Sequence, residues 1–238
     1  MATDKPLEGR IALVTGASRG IGAATARALG AAGAHVVLTA RKAKELEAVE
    51  EAIHAAGGSA TIAPMDLTES DAIARLATAV AERWERLDVL VINAAMLPSL
   101  TPVTQIEPKS FSQALTLNVL ATQALIAAFD PLLRKSAAGR IVGLTSSVGA
   151  QPHAYWGAYG ASKAAFDSLL TSYAKEVERI SETRVAIVDP GATRTTMRAR
   201  AYPGEDPGTV KPPEAVADRI VALLTEDFAS LHRERVES

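Results

Sequence analysis

Cysteine is absent from this 238-residue chain, so disulfide staples and thiolate chemistry are excluded. Aromatic residues make up only 4%, too few for an aromatic binding surface, and the abundant alanine favours closely packed helices. The isolated histidines His35, His54 and His232 form no metal-ligating constellation, and His153 falls in a loop. Neither sign of charge dominates: 25 basic and 27 acidic residues are interspersed, for a net charge of −2. That balance gives no electrostatic footprint for nucleic acid or an anionic membrane. The N-terminal segment MATDKPLEGR has no apolar core of the kind a secretory signal needs. No apolar run approaches the roughly 20 residues of a membrane span, and a cytoplasmic protein is the expectation. What the chain has is 48% hydrophobic residues, enough to bury the core of one large domain.

The hydrophobic residues are arranged in a repeating order. Short β-rich runs at Arg10–Thr15, His35–Thr39, Ala60–Met65, Asp88–Asn93, Gly139–Thr145 and Arg184–Val188 alternate with helical segments. The helices are expected over Ala23–Ala32, Lys42–Ala56, Glu69–Trp84 and Pro108–Phe129, around Tyr159, and over Pro213–Thr225. The strands are continuous apolar runs rather than alternating ones, which implies a parallel sheet covered on both faces. No linker, repeat or low-complexity tract divides the chain. These observations define an α/β, doubly wound Rossmann-type fold in a single domain over residues 1–238, with ligand sites at the carboxyl ends of the strands.

Between the first strand and the first helix lies Thr15-Gly16-Ala17-Ser18-Arg19-Gly20-Ile21-Gly22. Gly16 permits a tight turn, while Gly20 and Gly22 let backbone approach a pyrophosphate and let the helix pack close to the strand. The helix N-terminus adds N–H donors and a partial positive charge. Strand before, helix after and a second strand at the expected distance make this a dinucleotide site. After that second strand, where a carboxylate would serve the ribose hydroxyls of NAD, the chain has Ala40, Arg41 and Lys42. Arg41, with Arg19 in the turn, suits a 2′-phosphate, so NADP(H) is favoured over NAD(H).

Further along, YWGAYGASK places Tyr159 and Lys163 four residues apart in a helical segment. On a helix that spacing puts the phenol and the ammonium on one face, with Cβ atoms about 5–6 Å apart. A fixed cation beside a phenol stabilises the phenolate and brings its proton exchange toward neutral pH.

With these motifs in place, the chain resembles the short-chain dehydrogenase/reductase family over nearly its whole length. The T-G-x-x-x-G-x-G turn is Thr15 to Gly22, and Asn93-Ala94-Ala95 stands where the family has N-A-G. Ser146 precedes Tyr159 by thirteen residues, the family spacing, and Pro190-Gly191 follows the sixth strand. Without that spacing Ser146 and Ser147 are indistinguishable.

The resemblance implies a catalytic set of Asn118, Ser146, Tyr159 and Lys163. It also implies cofactor contacts from Gly16, Ser18, Arg19, Gly20, Ile21, Gly22, Arg41, Asp66, Leu67, Asn93, Ala94, Ala95, Tyr159, Lys163, Pro190, Gly191, Thr193 and Thr195. In the implied reaction, hydride passes between nicotinamide and a carbonyl or alcohol carbon. Tyr159 exchanges the proton, Ser146 holds the oxygen, Lys163 lowers the tyrosine pKa, and Asn118 holds a water that relays protons. A homodimer or homotetramer is expected from the same likeness.

Two departures stand out. Ala95 replaces a glycine, and the polar end from Leu231 onward offers no convincing seventh strand, so one sheet edge is expected to be missing or differently covered. The alternatives are a dinucleotide-binding sensor or scaffold without turnover, supported only by that missing strand, and an epimerase or dehydratase on the same fold. The segment Thr193 to Pro213 is expected to wall the substrate pocket, with Arg194, Arg198 and Arg200 on it.

Overall fold

The computed structural model describes residues 5–237. The strands β1 (Ile11–Thr15), β2 (His35–Thr39), β3 (Ser59–Ile62), β4 (Val89–Ile92), β5 (Arg140–Leu144), β6 (Arg184–Asp189) and β7 (Leu231–Arg235) form one sheet in the order β3-β2-β1-β4-β5-β6-β7. Every neighbouring pair is parallel. The order reverses direction between β1 and β4, which leaves a crevice above the carboxyl ends of those strands. Successive strand residues face opposite layers, and both layers are dry. Ala12 and Val14 join the core under α1 (Gly20–Ala31), α2 (Ala43–Ala55) and α9 (Pro213–Thr225). Leu13 joins the core under α3 (Ala72–Trp84), α5 (Ala121–Leu133) and α7 (Gly157–Val177). Burial on both faces is why the strands read as continuous apolar runs.

The expected elements are present, with shifted ends. The third strand stops at Ile62 rather than Met65, and the third helix begins after Asp71, whose φ of 64° lies in the left-handed region. The segment predicted as one long helix contains α4 (Pro108–Leu115), a π-turn at Thr116–Leu120 and α5. It has a mean hydropathy of 1.3 over its most apolar window and is long and apolar enough to cross a membrane, which the reading of isolated apolar runs did not register. Its apolar side has another partner here: Leu125, Phe129, Leu132 and Leu133 pack into the core beneath the sheet.

The larger correction concerns β7. The seventh strand exists and pairs in register with β6 from Val185↔Leu231 to Asp189↔Arg235. It was illegible because polar side chains hold it. Glu234 is bonded by Arg219 of α9 at 2.8 Å and by His232, while Arg233 reaches Asp167 and Thr171 of α7. Alternate residues therefore meet the two flanking helices through charge rather than through apolar burial. A charged edge also discourages pairing with another chain.

Candidate active site

The crevice at the carboxyl ends of the strands is a cavity of about 1220 Å³. Gly16, Ser18, Arg19, Gly20, Ile21, Arg41, Asp66, Leu67, Asn93, Ala94, Ala95, Tyr159, Lys163, Pro190 and Thr195 all line it. Segments far apart in sequence thus meet around one space.

The glycine turn is built to the geometry that its sequence implied. Gly16 (φ 66°) and Gly20 (φ 56°) occupy left-handed backbone. Gly22 does not line the cavity. A Cβ there would collide with the Gly16 carbonyl and the Asn93 amide, so its role is close packing of helix on strand. Thr15, buried at the end of β1, was overlooked as a functional residue. Its hydroxyl donates to Val91 O (3.2 Å) and accepts from the backbone N–H groups of Asn93 (3.0 Å) and Ala94 (3.1 Å). The Asn93 amide returns bonds to the carbonyls of Thr15 (2.9 Å) and Gly16 (3.2 Å). The turns after β1 and β4 are bolted together, and a fully buried polar residue ending an apolar strand was the available signal.

On the other side of the turn, Arg19, Arg41 and Lys42 line the cavity with exposed side chains. Lys42 donates to Glu45 at 2.9 Å. Asp66 accepts two bonds from Thr68, through the backbone N–H (2.9 Å) and the hydroxyl (2.7 Å). These bonds, with the nearby Arg41 guanidinium as a smaller cause, hold its carboxyl below the usual range. It therefore stays an anion and an acceptor at the cleft wall.

Tyr159 and Lys163 lie one turn apart on α7 and are 7% and 3% exposed. The tyrosine hydroxyl points at Met197 Sδ, 4.0 Å away. The lysine Nζ donates to Leu144 O at 2.6 Å and lies 4.4 Å from the Phe166 ring centre and 5.9 Å from that of Tyr159. The expected lowering of the tyrosine pKa is not what this arrangement produces. Burial, and secondarily the charge of Asp189, push Tyr159 well above its ordinary value. Burial likewise lowers Lys163 to about 8, with Asp167 offsetting part of the effect. Desolvation outweighs the cation because the ammonium is turned toward a backbone carbonyl rather than the phenol oxygen.

Of the other predicted residues, Ser146, Asn118, Gly191 and Thr193 are not on the cavity lining. Thr145 lines the cavity, and Ser146, one residue on, is half-buried at the start of the short α6 (Ser147–Ala150). Asn118 sits behind the wall in the π-turn, 1% exposed. Its Oδ1 accepts from Met96 N (2.9 Å), and its Nδ2 donates to Met96 O (3.0 Å) and Ser162 Oγ (2.9 Å). A π-turn in a helix is uncommon and often marks a functional position. Gly191 and Thr193 are off the lining. The Thr193 hydroxyl donates to Pro190 O at 2.9 Å and shapes the turn from within. Asp189 accepts from Gly191 N at 2.9 Å and faces Arg235 of β7 at 3.9 Å. Of the three arginines beyond Thr193, Arg198 of α8 (Thr196–Ala201) is tied to Glu205, Arg194 is off the cleft, and Arg200 lines it.

A doubly wound sheet, a glycine turn clamped beneath its crevice and a buried Tyr-Lys pair define a nucleotide-dependent oxidoreductase fold. The family model for short chain dehydrogenases matches residues 10–206, and the chain belongs to that family. It is similar to the uncharacterized oxidoreductase YciK of Escherichia coli K12, with 38% identity over 224 residues covering 93% of this chain and 88% of that protein. It is 35% identical to a fatty acyl-CoA reductase of Acinetobacter baylyi, covering 92% of this chain and 74% of that one. A metagenomic short-chain oxidoreductase solved in complex with NADP superposes with a TM-score of 0.84 at 38% identity, covering 98% of this chain and 99% of that one. The chain is thus an oxidoreductase acting between alcohol and carbonyl groups with a nicotinamide dinucleotide.

Proposed function

We propose that this enzyme uses NADP(H) to interconvert a ketone or aldehyde and the corresponding alcohol. The observation that carries the reading is the shared cleft, which Arg19, Arg41 and Lys42 line together with Tyr159. Guanidinium groups suit a 2′-phosphate through charge-assisted hydrogen bonds, and the relative bound to NADP supports the same choice. When bound, the cofactor supplies or takes the hydride. Tyr159 gives its proton to the substrate oxygen in reduction and removes it in oxidation. In reduction a raised pKa keeps the proton on the phenol until a developing alkoxide demands it. Ser146 holds that oxygen and stabilises its charge. Lys163 acts on the tyrosine and the nicotinamide ribose after swinging from Leu144 O. The Asn118 side chain is committed to Met96 and Ser162 and its main-chain carbonyl accepts from the Thr122 hydroxyl at 3.0 Å, so the water it would hold for a proton relay would bond to that carbonyl's second lone pair. The Thr195 hydroxyl and the backbone at Thr193 would hold the carboxamide end, in the turn that Gly191 and the Thr193 hydroxyl shape. Leu120, 61% exposed on the same helical segment, supports self-association through this face and α7.

NADPH oxidation followed with a panel of carbonyl compounds tests the reading. Tyr159→Phe should lose at least 100-fold in kcat, on the order of what a general acid contributes, while retaining NADPH binding. Full turnover by that variant removes Tyr159 as the acid.

A further inference from the structure

The face of Tyr159 that meets the cleft is apolar. Leu97, Val148 and Tyr159 form a small buried cluster, and Leu100, Trp156, Met197 and Ala201 pack against it. Leu97 and Met197 also line the cavity. The wall is held in place from outside. Arg198 donates two bonds to Glu205 (2.7 and 2.5 Å) and stacks over Tyr202 at 3.7 Å. The Tyr202 ring lies 5.9 Å from Trp156, whose ring lies 6.0 Å from Tyr159. Arg198 therefore spends its charge on Glu205, while Arg200, two residues further along α8, is the arginine of this helix that lines the cleft.

To take the tyrosine proton, a substrate oxygen must come within about 2.6–3.2 Å of the phenol. Met197 Sδ now lies 4.0 Å from it, so the oxygen enters beside this side chain and the attached carbon chain runs over it. A thioether on three rotatable bonds adapts to different apolar shapes. Building on the carbonyl-reduction reading above, we infer that the substrate carries a bulky apolar group beside its reactive carbonyl, seated on Met197 and Leu97, with Trp156 packed against the same cluster off the cavity lining.

A homologous series from 2-butanone to 2-decanone, with hydroxyacetone as a hydrophilic control, reads this directly through NADPH consumption. In the wild type kcat/KM should rise by about fourfold per added methylene until the wall is covered. Met197→Ser and Trp156→Ala should flatten that slope and change the shortest ketone least, and Met197→Leu should restore it. A loss of local order would lower all ketones alike, so equal losses across the series overturn the inference. So does a flat wild-type series, or a preference for hydroxyacetone; either of these leaves carbonyl reduction standing. Failure of every carbonyl compound, with NADPH binding intact, overturns both readings together.

Discussion

Replacing Lys163 by methionine should stabilise the protein while abolishing turnover. The ammonium is 3% exposed, and one backbone carbonyl with two aromatic rings offsets only part of the water it lost. Its pKa of about 8 stands roughly 2.5 pH units below the ordinary 10.5. At about 1.4 kcal/mol per unit, keeping it charged at pH 7 costs the folded state about 3 kcal/mol. Methionine has a similar shape and no charge, but leaves Leu144 O without its donor, a loss of about 1 kcal/mol. The net gain of about 2 kcal/mol corresponds to a rise in Tm of about 4–8 °C for a chain of this size. Its pH dependence follows from the direction of the shift. The unfolded lysine holds its proton up to 10.5 and the folded one only to about 8, so between those values the unfolded chain binds more protons. Wild-type stability therefore gains as pH rises through that window. The advantage of the variant should be constant from about pH 6 to 7.5, vanish near about pH 10 and be slightly reversed at pH 10.5. Melting followed by circular dichroism on both proteins gives the difference, which cancels titrations they share. Equal Tm values at pH 7, or an advantage undiminished at pH 10.5, would refute the reasoning. Greater stability with full turnover would keep the electrostatics and remove Lys163 from the mechanism.

Arg41→Ala should cut kcat/KM for NADPH by about 10- to 100-fold and leave NADH nearly unchanged, since charge-assisted bonds contribute about 1.5–3 kcal/mol; an unaltered preference removes Arg41 from cofactor selection. Gly22→Ala places a methyl group against the Gly16 carbonyl and the Asn93 amide, and urea denaturation should show a loss of about 1–3 kcal/mol together with weakened NADPH binding. Arg219→Ala releases both Glu226 and Glu234. Each partly exposed pair is worth about 1 kcal/mol or less. Tm should fall by about 2–4 °C at low salt and by less in 1 M NaCl, and a fall independent of salt would mean that packing rather than charge holds the strand.

The sequence made the sheet and most of the cleft legible because both leave local signals. Apolar runs buried on two faces mark the strands, and glycines mark the turn where backbone must come close. What escaped depends on partners distant in the chain. Leu231–Arg235 has the composition of a solvated tail, and it becomes a strand through its pairing with β6, with Asp167 and Arg219 holding its side chains. Thr15 looked like an ordinary strand residue until the turn after β4 brought two N–H groups to its hydroxyl. Tyr159 and Lys163 were placed correctly on one helix face. The electrostatic outcome was not, because spacing fixes where the Cβ atoms lie and not which acceptor a long flexible ammonium selects.

The edge strand brings a further consequence. Through Asp189 it is tied to the Pro190–Gly191 turn: Val236 N–H donates to Asp189 O at 2.9 Å, Arg235 faces the Asp189 carboxylate, and that carboxylate holds Gly191 N–H. The Pro190–Gly191 turn is thus tied to an edge strand that is held by its backbone pairing with β6 and, on both faces, by ion pairs. Salt that weakens these ion pairs should therefore reach the Pro190–Gly191 turn at the edge of the cleft as well as the surface.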